Sequence, residues 1–198
     1  KFINPAGGRV SNAAKAIHYA LDNGAILSNH SYGGYVFSET LNNAVALTEL
    51  QNHIVIAAAG NNYYDTNSHP FYPACFNYAN IISVAATTKL NSLTFFSNYG
   101  VPHIDVAVPG SQIYSTFPNN SYGKLDGTSM AAPLVTGIIS LIKALYPDLT
   151  GAELRQRLID SSTPQILLQN KVNSGGVVNA QAFLELNEQL SDNDIIID

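Results

Sequence analysis

Three short runs in this chain are apolar at consecutive positions instead of at alternate ones: "HIVIAAAG" from His53, "NIISVAATT" from Asn80 and "HIDVAVPG" from His103. Continuous β-branched runs of that length fit strands covered on both faces, as in a parallel sheet. Helical patterns lie around them. "SNAAKAIHYALDNGA" (11–25) opens on an N-cap signal, spaces Ala14, Ile17, Ala20 and Leu21 along one face, and stops at Asn23-Gly24. "AILSNHSYGG" reads as a short strand closed by a glycine turn, and "SETLNNAVALTELQN" as a helix capped by Ser38. A long helix is expected within Leu125–Pro147, another in "TGAELRQRLIDSS" and a last one in "VVNAQAFLELNEQL". Strands alternating with helices predict an α/β fold, a three-layer parallel sheet with helices on both faces. Functional loops of such sheets lie beyond the carboxyl ends of the strands, here Ser31–Gly34, Gly60–Asn62 and Pro109–Gly110.

Composition narrows the partners. With 46% hydrophobic and 12% charged residues the chain is globular. Its net charge of −5 leaves no basic stripe for nucleic acid. No apolar run approaches the roughly 18–20 residues that cross a bilayer, so no membrane span is expected. Cys75 is the single cysteine, in an apolar-aromatic setting that reads as a buried small hydrophobe. No internal disulfide can form.

The long helix poses the functional question. "SMAAPLVTGIISLI" is apolar on every side, the mark of a helix buried in a core. Its N-terminus brings Ser129 and free backbone N–H groups to one point, with positive dipole character. Gly127 permits close approach, and Pro133 is near enough to the first turn to be tolerated. Ser129 is either a nucleophile or only an N-cap, and the helix alone does not decide.

Taken with the other segments, "DGTSMAAPLVTG" resembles the nucleophile motif of the subtilisin-like serine proteases, the subtilases. "IVIAAAGNN" resembles the strand and loop that present that family's oxyanion-hole asparagine, which falls on Asn61. "NHSYGG" is similar to one wall of the primary specificity pocket, "FYPACFNYANIISVAATT" to its base, "FFSNYGVPHIDVAVPGSQIYST" to the strand–turn–strand that follows, and "SGGVVNAQAF" to the closing helix. These blocks keep the family's order over residues 1–183, implying the C-terminal part of a catalytic domain; 184–198 would be the end of the last helix and an acidic tail or linker. The resemblance implies that Ser129 forms an acyl-enzyme and that Asn61 and the Ser129 N–H stabilise the oxyanion. The alternative for Asn61 is a left-handed turn residue after Gly60. Ser31, Tyr32 and Gly33 on one side and Ala58, Ala59 and Gly60 on the other would wall the cleft, and a substrate chain would lie along them as an added strand. "PAGGR" would supply a further edge through Gly7 or Gly8. Phe71 falls near the pocket floor: pointing inward it makes the pocket shallow and selective for small or medium side chains, pointing outward it is ordinary packing. Tyr72-Pro73 resembles a cis-proline bond of the family.

Two positions depart from the family pattern. Asp126 puts an acid before Gly-Thr-Ser, hinting at altered pH behaviour, and Leu134 follows the motif's proline, hinting at core packing. More is missing. The family's base is a histidine in His-Gly-Thr, oriented by an aspartate in Asp-Ser/Thr-Gly, and no histidine or aspartate here has those neighbours. His30, beside the cleft wall, is a surrogate base or a packed residue. The resemblance therefore implies that two-thirds of the triad lies upstream of Lys1, and that the strand "ILSNHS" would have an open edge. Expected partners are a peptide or protein substrate, and the N-terminal part of the same parent chain or self-association along that edge. The expected function is a portion of a serine endopeptidase, inactive by itself; the alternative is a non-catalytic, protease-derived peptide-binding or interaction module. An unrelated α/β hydrolase would need Gly-x-Ser-x-Gly, which "GTSMA" breaks. No cofactor is required for this chemistry; calcium is common in subtilases, but no acidic oxygen-rich loop resembles such a site. Secretion follows from the resemblance, and Asn119-Asn120-Ser121 then offers a glycosylation acceptor in a polar loop, more credible than Asn29-His30-Ser31.

Overall fold

A computed structural model describes residues 3–4 and 7–193. A two-stranded ribbon, β1 (Ile3–Asn4) and β2 (Gly7–Gly8), precedes α1 (Val10–Asp22), β3 (Leu27–His30), α2 (Glu39–Leu50), β4 (Ile54–Ala58), β5 (Ile81–Thr87) and β6 (Val106–Pro109). The hairpin β7 (Ile113–Phe117) and β8 (Ser121–Leu125) leads into α3 (Thr128–Leu145) and α4 (Gly151–Asp160). Next come β9 (Thr163–Pro164), a 3-10 turn (Ile166–Leu168), β10 (Gly176–Val177) and α5 (Ala180–Asn193). The main sheet has the order β3-β4-β5-β6-β10-β9, parallel except between β10 and β9.

The three-layer α/β expectation holds. Ile54, Ile56, Ile82, Val84, Val106 and Val108 pack on one face against α3, α4 and α5. Val55, Ala57 and Ile81 pack on the other against α1 and α2. Both faces are covered, so the strands read as continuous apolar runs. Caps confirm some helix starts and correct others. Ser38 Oγ accepts the Leu41 N–H, and Thr150 with Glu153 forms a capping box. The first helix instead begins at Val10, with Arg9 as N-cap and no side-chain cap, so Ser11 lies inside it.

Three expectations about the long helix change. It spans 18 residues at mean hydropathy 1.5, long and apolar enough by length and composition to cross a bilayer, which the sequence reading had denied. It is also not buried all round: Ala131, Ala132, Val135, Ile139 and Ile142 meet the sheet, while Leu134 is 41% and Leu141 69% exposed. Leu134 is thus outside the core. A sheet can cover one side of a helix only, and among the described residues nothing covers the other. The main sheet likewise ends at β3, whose outer edge has no strand partner among the described residues. The last helix runs on to Asn193; of the expected acidic tail, residues 194–198 lie outside the described residues, as do Lys1, Phe2, Pro5 and Ala6.

Candidate functional site

The carboxyl ends of β3 and β4 meet the start of α3. Ser129 is not an N-cap: that place belongs to Gly127, whose φ of 151° and lack of side chain let the chain turn sharply into the helix. Ser129 is the second helical residue. Its hydroxyl donates to the Ser31 carbonyl at 3.2 Å, and the Ser31 hydroxyl donates back to the Ser129 carbonyl at 2.9 Å. The Ser129 N–H, in the first turn, has no acceptor among the described residues.

Asn61 stands beside it for a reason the sequence reading missed. Its Oδ1 accepts both the backbone N–H and the hydroxyl of Thr128, each at 2.9 Å. Because an N–H must donate to an oxygen, this fixes which end of the amide is which. The amide nitrogen is therefore the other end of the side chain, and a methyl group placed on Gly127 would lie 3.5 Å from it. Thr128 Oγ1 also accepts the Gly60 N–H at 3.1 Å, so one buried hydroxyl ties the loop after β4 to the start of α3. The threonine in "GTS" was the available signal, but its partners are distant in sequence. Gly60 takes the left-handed conformation (φ 102°), and Asn61 is not among the residues of positive φ, so the turn alone does not demand an asparagine.

The predicted Ala58–Gly60 wall is held by Asn98, which sequence reasoning also missed. Its Nδ2 donates to the Ala59 carbonyl at 2.9 Å, and its backbone N–H donates to the Gly60 carbonyl at 2.9 Å. Ala58 closes β4, fully surrounded. Opposite, Ser31, Tyr32 and Gly33 line a groove of about 470 Å3 whose far side includes Gly7, Gly8 and Arg9. That places the glycine pair of "PAGGR" across from the β3 end. The Tyr72-Pro73 bond is cis, and Tyr72 pairs with Gly34 through two backbone hydrogen bonds. The ring of Phe71 points inward between the walls.

The electrostatics exclude His30 from the role of base in this arrangement. It is buried; Nε2 meets Ser28 Oγ at 2.7 Å and Nδ1 meets the Tyr32 hydroxyl at 2.8 Å. Burial, reinforced by nearby His53, pushes its pKa down to about 4. His53 continues the chain, joining Ser28 Oγ and the Ala25 carbonyl. Among the described residues no histidine is hydrogen-bonded to Ser129. Asp126 is exposed and faces the loop after β6, accepting from the Ser111 hydroxyl and from the backbone and side chain of Gln112. The Ser111 bond, with those of Gln112, lowers its pKa. Cys75 is buried, as expected, and burial pushes its thiol up. No set of three or more His, Cys, Asp or Glu able to hold a metal ion occurs among the described residues.

Comparison with known proteins identifies the family. The family model of the subtilase family matches residues 1–183. M-protease of Shouchella clausii is 36% identical over 183 residues, covering 92% of this chain and 46% of its own length. Subtilisin Savinase of Lederbergia lenta is also 36% identical over 183 residues, with 65% of its length covered. Thermitase of Thermoactinomyces vulgaris is 42% identical over 139 residues, 70% of this chain and 48% of thermitase. Among solved structures, the S218A mutant of the protease domain of PatA superposes with a TM-score of 0.82 at 25% identity, over 98% of this chain and 70% of that one. The chain spans about half to two-thirds of the length of the curated relatives it matches. It belongs to the subtilase family of serine proteases.

Proposed function

We propose that this chain carries the nucleophile and oxyanion half of a serine endopeptidase, and that a histidine base with its aspartate comes from a segment outside these 198 residues. The observation that carries the reading is the Asn61–Thr128–Ser129 arrangement. Thr128 occupies the Asn61 carbonyl oxygen, leaving the amide nitrogen and the free Ser129 N–H to serve one oxyanion. In the reaction Ser129 Oγ adds to the scissile carbonyl carbon while its proton passes to the base. Collapse of the tetrahedral adduct breaks the C–N bond, and the base returns the proton to the leaving amine. Water then releases the acyl group by the same route. This chemistry needs no metal. The substrate chain would run through the groove between Gly8 and the Ser31-Tyr32-Gly33 edge, opposite Ala58-Ala59-Gly60, pairing by main-chain hydrogen bonds.

Within the chain alone the Ser129 hydroxyl donates to a carbonyl, which cannot take its proton. The isolated chain is therefore expected to be inactive. The open edge of β3 adjoins the bare face of α3, the two being tied by the Thr136 hydroxyl on Asn29 Oδ1 at 3.1 Å. That continuous surface suits the missing part of the parent chain, and self-association is the competing use of it. An extracytoplasmic setting belongs to the same reading, and fractionation of the producing cells tests it.

A fluorophosphonate probe tests the catalytic reading. It should label Ser129 in the full-length protein and ignore it in the 198-residue chain. Absence of labelling in a folded, propeptide-free full-length protein would establish the alternative, a cleft that binds peptides without cutting them. Light scattering on the isolated chain checks the surface: a stable lone monomer would count against it.

A further inference from the structure

Two glycines on opposite walls of the cleft face the same aromatic ring. A methyl group built on Gly33 would lie 2.4 Å from Phe71 Cε1 and 2.7 Å from Cζ. One built on Gly60 would lie 3.1 Å from Phe71 Cγ. Those distances are below van der Waals contact, so the ring already occupies the space next to both glycines. The gap between the Ser31–Gly33 wall and the Ala58–Gly60 wall is filled from its floor.

The ring is also fixed there. The Phe71 N–H donates to Cys75 Sγ at 3.3 Å, its carbonyl accepts the Cys75 N–H at 2.9 Å, and the next residue, Tyr72, is bridged to Gly34. Tyr35 stands edge-on to the ring at 5.0 Å between centroids. The Tyr35 hydroxyl in turn donates to Asn62 Oδ1 at 2.7 Å and accepts from Asn98 Nδ2 at 3.1 Å. Swinging Phe71 out would displace a tyrosine held at two points, and Asn98 is the same side chain that holds the opposite wall. Tyr35 thus links the plug, through ring contact, to the wall, through its hydrogen bond with Asn98.

We propose that Phe71 closes the primary specificity pocket, so that the protein takes peptides with glycine, alanine or serine just before the scissile bond and rejects aromatic and long aliphatic side chains there. The proposal rests on the endopeptidase reading for the location of the pocket. Its physical basis is exclusion: no room remains for a second ring, and a small side chain sits on the exposed edge of the first.

The test uses the full-length protein and Phe71→Gly, with Phe71→Ala as a second variant in case the first does not fold. Two readouts are needed. One is hydrolysis of tetrapeptide substrates varied at the position before the scissile bond. The other is calorimetric binding of the acids N-acetyl-Ala-Ala-Ala-Ala and N-acetyl-Ala-Ala-Ala-Phe, which requires no catalysis. The wild type should cut the alanine substrate at least about 100-fold better than the phenylalanine one, and bind only the alanine acid. Either variant should gain about 100-fold on phenylalanine and bind the phenylalanine acid. Loss of all hydrolysis with this binding pattern intact would sink the endopeptidase reading and leave the plugged pocket standing. Wild-type acceptance of phenylalanine, an unchanged preference in both variants, or binding of neither acid would overturn the plug itself.

Discussion

Ser31 and Ser129 exchange hydrogen bonds, each hydroxyl donating to the other's carbonyl, at 2.9 Å from Ser31 and 3.2 Å from Ser129. The pair clamps the end of β3 to the first turn of α3 and sets where the Ser129 oxygen stands relative to the Asn61 amide. One backbone carbonyl, that of Ser31, holds that oxygen and cannot take its proton.

In the full-length protein, Asn61→Ala should lower kcat by about 10²–10³-fold with KM little changed, because it removes one donor to a charge present only in the transition state. Steady-state kinetics on a peptide ester or amide checks it. An unchanged kcat would remove Asn61 from the oxyanion site.

Thr128 is a positioning residue, and its replacement has a separate signature. Thr128→Val keeps the volume but strips a donor from Asn61 Oδ1 and the acceptor from the buried Gly60 N–H. Stability should fall by about 1–3 kcal/mol. In the full-length protein kcat should drop about ten- to a hundredfold at constant KM. Thr128→Ser, which restores the hydroxyl, should recover most of both; a serine variant as impaired as valine would mean that packing of the methyl group was the real contribution.

Asp105 is 1% exposed and is held by Arg155 through two bonds of 2.7 and 3.0 Å, and by Ser83 and Asn173. Arg155→Met would leave a buried carboxylate between β5, the start of β6 and α4 without its cation. Loss of about 3–5 kcal/mol is expected from denaturant unfolding. A loss under 1 kcal/mol would show that the remaining donors suffice.

Acid should weaken the fold through the buried histidines. His30 is neutral in the folded chain down to about pH 4, whereas in the unfolded chain it takes up its proton near its ordinary value of 6.5. Between those values the unfolded state binds more protons, so stability is complete above about pH 6.5 and falls as the pH drops toward 4. The loss from His30 is on the order of 3 kcal/mol, and His53 acts in the same direction because burial lowers its pKa also. Urea midpoints at pH 7 and pH 4.5 measure it. His30→Gln should be less stable at pH 7 but should flatten the slope; an equally steep slope in the variant would move the effect elsewhere.

Much of this molecule is written locally. The runs at Ile54–Ala58, Ile81–Thr87 and Val106–Pro109 declare covered strands because each residue is apolar whichever face it takes. Ser38, and Thr150 with Glu153, mark helix starts within a few residues of themselves. The order of the blocks around Ser129 and Asn61 is enough to place the chain in its family. Other features depend on what stands opposite, and sequence spacing does not encode that. Whether Phe71 points in or out was decided by Gly33 and Gly60, which leave room for a ring, and by Tyr35, which shuts it in. Whether His30 could act as a base was decided by Ser28, on the same strand face, and by Tyr32, just past the strand's end. The apolar residues of α3 named a buried helix, yet the sheet reaches only one side of it, leaving Leu134 and Leu141 bare. Local preference settles which elements form; only tertiary packing assigns each side chain its neighbour, because burial and hydrogen bonding are satisfied between segments far apart in the chain.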